Sequence, residues 1–195
     1  MRAILITGYK GSGKDTVAGI IKEKLRDKAK IVKFADPIKK SIQIMFGWNE
    51  SHTDGSLKEV IDPAYGVSPR QVMQYLGTEV MQYMLGRKYP KFKDTTGRTL
   101  WVKALLELVR GSNTIIVPDC RFPHEVSGVK NAESITDTIV IRVIRGKVSW
   151  WDKLWMHSSE KSIDKIKPDY SIVNNGSMLE LSTTVIELLH NVGLL

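Results

Sequence analysis

The sequence predicts a three-layer α/β/α fold in which helices cover both faces of a five-stranded parallel sheet. Three observations predict it. Five short runs rich in Ile and Val are bounded by charged or turn residues: Ala3 to Thr7, Ile31 to Ala35, Thr114 to Val117, Thr138 to Val143 and Tyr170 to Val173. Amphipathic patterns at about 14–28, 37–46, 69–85, 100–110, 122–131 and 178–190 alternate with them. Strands apolar along their whole length, joined by helical crossovers, belong to a sheet buried on both faces, not to a half-wet antiparallel one.

Composition narrows the class. A chain of 195 residues can bury one substantial core, and 42% hydrophobic with 26% charged content excludes a disordered or fibrous protein. The longest apolar runs fall far short of the ~20 residues a membrane span needs, and no signal-peptide pattern opens the chain, so a cytoplasmic protein is expected. Cys120 is the only cysteine, which rules out an intrachain disulfide and a thiolate metal cluster. Any divalent ion is therefore expected to arrive with a substrate. The 29 Lys+Arg outnumber the 21 Asp+Glu, for a net charge of +8. Such an excess can serve nucleic acid, an anionic membrane surface or small polyphosphate substrates; the charges are denser at 22–40 and 142–167 but form no long basic block, which weighs against nucleic acid. Two stretches interrupt the alternation. Residues 47–68 carry Gly, Pro, Asn and Asp throughout, and residues 146–168 carry three tryptophans and many lysines.

The first strand runs directly into Gly8-Tyr9-Lys10-Gly11-Ser12-Gly13-Lys14-Asp15-Thr16 and a helix. Glycines let successive N–H groups converge on phosphate oxygens, the helix start adds its positive dipole, and Lys14 reaches the β and γ phosphates. Gly11, Ser12, Gly13, Lys14, Asp15 and Thr16 are thus expected to hold ATP or GTP. A plain glycine-rich turn would not require the strand, the spacing and the lysine together. After Lys14 the general pattern has a hydroxyl for Mg²⁺, whereas here Asp15 stands there. Two readings remain open: Asp15 contacts the metal, or it is a helix-start residue favoured by the dipole while Thr16 meets the α-phosphate.

Further along come Phe34-Ala35-Asp36-Pro37-Ile38-Lys39, Pro69-Arg70-Gln71-Val72-Met73-Gln74-Tyr75-Leu76-Gly77-Thr78-Glu79, Trp101-Val102-Lys103 and Val117-Pro118-Asp119-Cys120-Arg121-Phe122-Pro123-His124-Glu125. His157-Ser158-Ser159-Glu160 and Ile172-Val173-Asn174-Asn175-Gly176-Ser177 complete the series. In this order the strings resemble the deoxynucleoside monophosphate kinases of tailed bacteriophages, over essentially the full chain. The resemblance implies a P-loop kinase fold with a lid insertion, in a single domain of residues 1–195 with an acceptor-nucleotide region at about 36–110 and the lid at about 146–167. It implies transfer of the ATP γ-phosphoryl group, with Mg²⁺, to (deoxy)nucleoside monophosphates. Lys10, Arg70 and Arg121 would clamp the acceptor phosphate or the transferring group. Ile38, Lys39, Gln74, Gly77, Thr78, Trp101, Asp119 and Glu125 would line the acceptor site, Arg145 would be the lid arginine, and Asn175 and Gly176 would border the adenine. Small nucleotides and a second copy of the chain are the partners it suggests.

Residue chemistry agrees in kind. Phosphoryl transfer is mostly cationic clamping and in-line positioning. Arg70 stands just after Pro69 at a helix start, where both its fork and the dipole favour phosphate. Gln74, Gly77 and Thr78 follow at one-turn and two-turn spacing on the same face, and a glycine there suggests close approach of a ligand or backbone, against mere helix packing. Asp119, at a strand end, is read either as a magnesium partner or as a hydrogen-bond acceptor for the acceptor nucleotide, and the resemblance favours the second. Trp101 stacks on a nucleotide or sits in the core, and Cys120 is a small buried residue. Arg142, Arg145, Lys147, Lys153, Lys161 and Lys165 would serve a closing lid, with Trp151, Leu154 and Trp155 on one helical face. A kinase of another small phosphorylated acceptor, such as dephospho-coenzyme A or phosphomevalonate, is the nearest rival, and a nucleotide-dependent nucleic-acid module the more distant one.

Overall fold

The computed structural model describes residues 1–146 and 162–195, with residues 94 and 95 as backbone only. Along the chain run β1 (Arg2–Thr7), α1 (Lys14–Leu25), β2 (Ala29–Ile31), α2 (Asp36–Phe46), α3 (Glu50–Thr53), α4 (Pro69–Gln74), a π-helical stretch Tyr75–Met84, α5 (Leu85–Lys88), α6 (Pro90–Thr95), α7 (Leu100–Leu108), β3 (Thr114–Val117), α8 (Pro123–Lys130), β4 (Asp137–Ile144), β5 (Tyr170–Val173) and α9 (Met178–Asn191). They form two compact units: a sheet unit of Met1–Lys33 with Val109–Leu195, and a helical unit of Phe34–Leu108.

In the sheet unit every strand pair is parallel and the order is β2-β3-β1-β4-β5. Because crossovers are right-handed, the crossover from β1 through α1 to β2 and that from β3 through α8 to β4, which run in opposite directions along the sheet, put their helices on opposite faces. This is the three-layer arrangement. On one face Ile4, Ile6, Ile116, Ile141 and Ile172 pack with Val17 and Ile21 of α1 and Val185 and Leu189 of α9, all buried. Each such side chain contributes roughly 1.5–3 kcal/mol when removed from water. Leu5, Val117 and Val140 are equally buried and alternate to the other face, so the central strands bury apolar side chains on both faces of the sheet. The neighbouring strands β1 and β3 send their crossovers in opposite directions across the sheet, and in such sheets ligands bind at the carboxyl ends of those strands.

Two of the expected elements are corrected. The second strand was expected over Ile31 to Ala35 but lies at Ala29–Ile31. Its ladder ends where the Val32 N–H donates to the Ile116 carbonyl, and Pro37 in the first turn of α2 sets a helix start where the apolar run would have continued. The helix expected over 69–85 is α4, ten residues of π-helix and α5 in succession. Ser68 and Gln71 cap its start reciprocally, each side chain taking the other's backbone N–H. The change of winding is visible at its end, where the Leu85 N–H bonds to the Val80 carbonyl five residues back.

The helical unit also orders the stretch 47–68. Phe46 stacks on Trp48 at 4.5 Å, Tyr65 meets both edge-on, and the Trp48 indole N–H donates to Asp62 at 2.6 Å. No helix among the described residues is long and apolar enough to cross a membrane. The strings 147–161, including the Trp-rich segment and His157 to Glu160, lie outside the described residues.

Candidate functional site

The loop between β1 and α1 is shaped by its glycines. Gly8, Gly11 and Gly13 have φ of 144°, 79° and 99°. A Cβ on Gly8 would stand 2.3 Å from the Val143 carbonyl oxygen, and one on Gly13 would stand 2.3 Å from Asn174 Nδ2. Only glycine fits either place. Lys14 arches back over the loop and donates to the carbonyls of Gly8 (2.6 Å) and Tyr9 (2.7 Å). Asn174, just after β5, donates to the Ser12 carbonyl at 2.9 Å, so the tip of the loop is braced from a strand end 162 residues away. Ser12 Oγ is buried with no hydrogen-bond partner among the described residues. The loop is a preformed cradle at the switch point of the sheet, with its cation already above it. These features fit the phosphates of a nucleotide.

A cleft of about 350 Å³ opens beside the loop, walled by Gly8 to Ser12, by Arg142 to Gly146, and by Ile163 and Asp164. Lys10 and Arg145 both line it. Arg142 was expected among the lid cations. It instead belongs to β4, and its Nη2 donates to the carbonyls of Ile163 (2.9 Å) and Ile166. The Tyr9 hydroxyl donates to Asp164 at 2.6 Å. Ile163 and Ile166 are buried, so the last part of the stretch expected to be the lid is a packed turn of the sheet unit. Asn175 accepts from the Gly146 N–H at 2.7 Å, and Gly176 precedes the capping box of Ser177 and Glu180 that opens α9.

Asp15, in the first turn of α1, is paired with Lys33 at 2.8 Å. Thr16 beside it is exposed. Asp119 follows β3 with Arg121 two residues on. Glu125 of α8 is buried, and its Oε2 accepts from the N–H groups of Arg121 (2.7 Å) and Phe122 (2.9 Å). Burial pushes its carboxyl up to about 8, helped by the Asp119 charge and opposed by the two N–H bonds. Burial also pushes the Cys120 thiol well up, with the Glu125 and Asp119 charges adding to it. The Glu125 carboxyl thus holds the turn that presents Asp119 and Arg121, a role its sequence position alone did not announce.

The remaining residues lie in the helical unit. Arg70 Nε contacts Glu59 at 2.5 Å. Lys39 is buried and held by Asp54 and, at 3.9 Å, by Asp36. Hydrogen bonding to Lys39 lowers the Asp54 carboxyl against the opposing effect of burial. Arg70 and Gln74 share α4, but Gly77 and Thr78 fall in the π-helical stretch, where 3.6-residue spacing no longer sets their face. A Cβ on Gly77 would sit 3.8 Å from Ile38, an ordinary contact, so protein packing does not demand a glycine there. Trp101 is buried and its indole N–H donates to the Gly77 carbonyl at 2.8 Å, which uses the tryptophan in the core. Lys33, Asn174 and Arg142 are the residues that sequence reasoning left without these partners. Arg142 carried a signal, a charge inside an otherwise apolar strand pattern.

Cradle, sheet order and crossovers define a P-loop kinase. Within that class, a family model described as deoxynucleotide monophosphate kinase matches residues 53–185, more than half of the chain, and the chain belongs to that family. A candidate deoxynucleotide monophosphate kinase of Acanthamoeba polyphaga mimivirus is 27% identical over 98% of this chain and 97% of its own. Among solved structures, shikimate kinase from Aquifex aeolicus is similar over 98% of each chain at 13% identity and TM-score 0.48. Thymidylate kinase from Candida albicans is similar over 97% of this chain and 91% of its own, at 16% identity and TM-score 0.47. Neither structural likeness bears on the substrate.

Proposed function

We propose that this protein transfers the γ-phosphoryl group of ATP to deoxynucleoside monophosphates, giving the diphosphates. The observation that carries the reading is the glycine-shaped cradle at the carboxyl end of β1, with Lys14 arched over it. Lys14 would leave the Gly8 and Tyr9 carbonyls for the phosphate oxygens, where its charge counts most as negative charge builds between the two nucleotides. Mg²⁺ carried with the ATP would supply further neutralisation there, and the exposed Thr16 hydroxyl is the loop side chain suited to meet it. Lys10 and Arg121 act as further clamps on the phosphoryl group, and Arg145 acts from the end of β4.

Arg70 is assigned to the acceptor phosphate. The ion pair with Glu59 is made at Nε, which leaves the terminal nitrogens of the fork to address a phosphate. Gln74, Thr78 and Asp119 are assigned to the acceptor nucleoside, and Asn175 and Gly176 to the adenine. A coupled assay of ADP release across the deoxy- and ribonucleoside monophosphates tests the reading. Turnover that depends on one or more deoxynucleoside monophosphates is expected. ADP release indifferent to every monophosphate would refute it.

A further inference from the structure

We propose that Lys33 binds the phosphate chain of the donor nucleotide, and that Asp15 is the residue that positions it rather than a ligand of magnesium. The inference rests on the reading of the loop as the ATP site. Lys33 follows β2 directly, and its position is fixed by the last bond of the ladder, from the Val32 N–H to the Ile116 carbonyl. It therefore stands at the carboxyl edge of the sheet, the edge that carries the cradle. Its side chain is 31% exposed, and its ammonium meets Asp15 Oδ1 at 2.8 Å. Asp15 is next to Lys14 in the first turn of α1 and is 75% exposed. The ammonium is thus delivered to the helix turn at which the phosphates are bound.

Stability does not account for the pair. Ion pairs between exposed groups contribute little to folding, so neither partner is needed there for the core. A lone carboxylate at that turn would repel a triphosphate, whereas the dipole of α1 alone would favour the anion. Lys33 cancels the repulsion, and Asp15 in exchange holds a long, flexible lysine in one place. An ammonium has three donors, so the same group can hold a carboxylate and a phosphate oxygen together. A carboxylate oxygen engaged at 2.8 Å by an ammonium is also poorly placed to ligate a divalent cation, since the two positive charges would compete for it.

The test compares Lys33→Met, Asp15→Asn, the double variant and Lys33→Arg, with Lys14→Met as a control on the loop itself. ATP affinity is measured by calorimetry in EDTA, without metal, and the Mg²⁺ dependence of turnover is measured separately. Lys33→Met and Asp15→Asn are each expected to weaken metal-free ATP binding about tenfold, the scale of one charge-assisted hydrogen bond. The double variant should bind no worse than Lys33→Met, and Lys33→Arg should recover part of the loss. The Mg²⁺ concentration for half-maximal rate should be unchanged in Asp15→Asn. Unaltered ATP affinity in Lys33→Met overturns the assignment of Lys33. Multiplied losses in the double variant, or a raised Mg²⁺ requirement in Asp15→Asn, overturn that of Asp15. If Lys14→Met leaves ATP binding intact, the loop reading itself fails, an outcome separate from any result at Lys33.

Discussion

Lys14, Arg70 and Glu125 show three ways in which one side chain serves a site. Lys14 contributes charge and no core packing, since its ammonium rests on two loop carbonyls. Lys14→Met should lower kcat for phosphoryl transfer by about a hundredfold or more while the protein melts within a few degrees of the parent. Arg70→Lys keeps the charge but loses the planar fork, so acceptor kcat/KM should fall by about 1–3 kcal/mol with ATP affinity unchanged, as measured by initial rates and calorimetry. An equal loss for both nucleotides would remove Arg70 from the acceptor site. Glu125 has a carboxyl raised to about 8 in the folded chain from an ordinary 4.5. The folded state therefore binds the proton more tightly, and stability should decline as pH rises from about 5 to about 8 and level off above that. Glu125→Gln can still accept from the Arg121 and Phe122 N–H groups, and its melting temperature should fall less over that interval than the parent's. Parallel melting curves for the two proteins across it would show that Glu125 is already ionised.

Elements differ in how far their own residues dictate them. The Thr114–Val117 and Tyr170–Val173 strands match their sequence expectation to the residue, because a short Ile- and Val-rich run between turns has one good conformation. The stretch Pro69–Lys88 does not, since helical periodicity cannot distinguish α from π winding when the apolar pattern is broad. Its winding is accompanied by a contact from outside: Trp101, 24 residues on, donates to the Gly77 carbonyl. Trp101→Phe keeps most of the packing and removes the donor, and should destabilise the protein by about 1–3 kcal/mol in urea unfolding. No change beyond a few tenths would mean that water or another donor satisfies Gly77. The site was legible where it depends on backbone shape. Gly8 to Lys14 can be read because positive φ and close approach leave a mark in the sequence as glycine. The brace from Asn174 and the partner of Asp15 could not be read, because a single polar residue in a turn carries no mark of what it meets.

Across the whole chain the net charge of +8 has a kinetic consequence. Anionic nucleotides are drawn to a cationic protein over distances comparable with the screening length, about 10 Å at 0.1 M salt. The kcat/KM for nucleotides should therefore fall several-fold between about 0.05 and 0.5 M salt, with kcat changing less, as steady-state rates at fixed pH will show. Equal kcat/KM at both salts would confine the excess charge to solubility. The sequence by itself determined the parallel three-layer sheet and the phosphate loop, because both are written in local terms: apolar period, glycine placement, and a lysine at fixed spacing after a strand. Only the tertiary structure decided the order β2-β3-β1-β4-β5, which puts the switch point between the ends of β1 and β3. It alone decided that Asp15 faces Lys33, that Asn174 braces Ser12, and that Trp101 serves the core. These depend on residues brought together by burial of the strands and helices between them, and burial is a property of the packed chain that no short string of residues possesses.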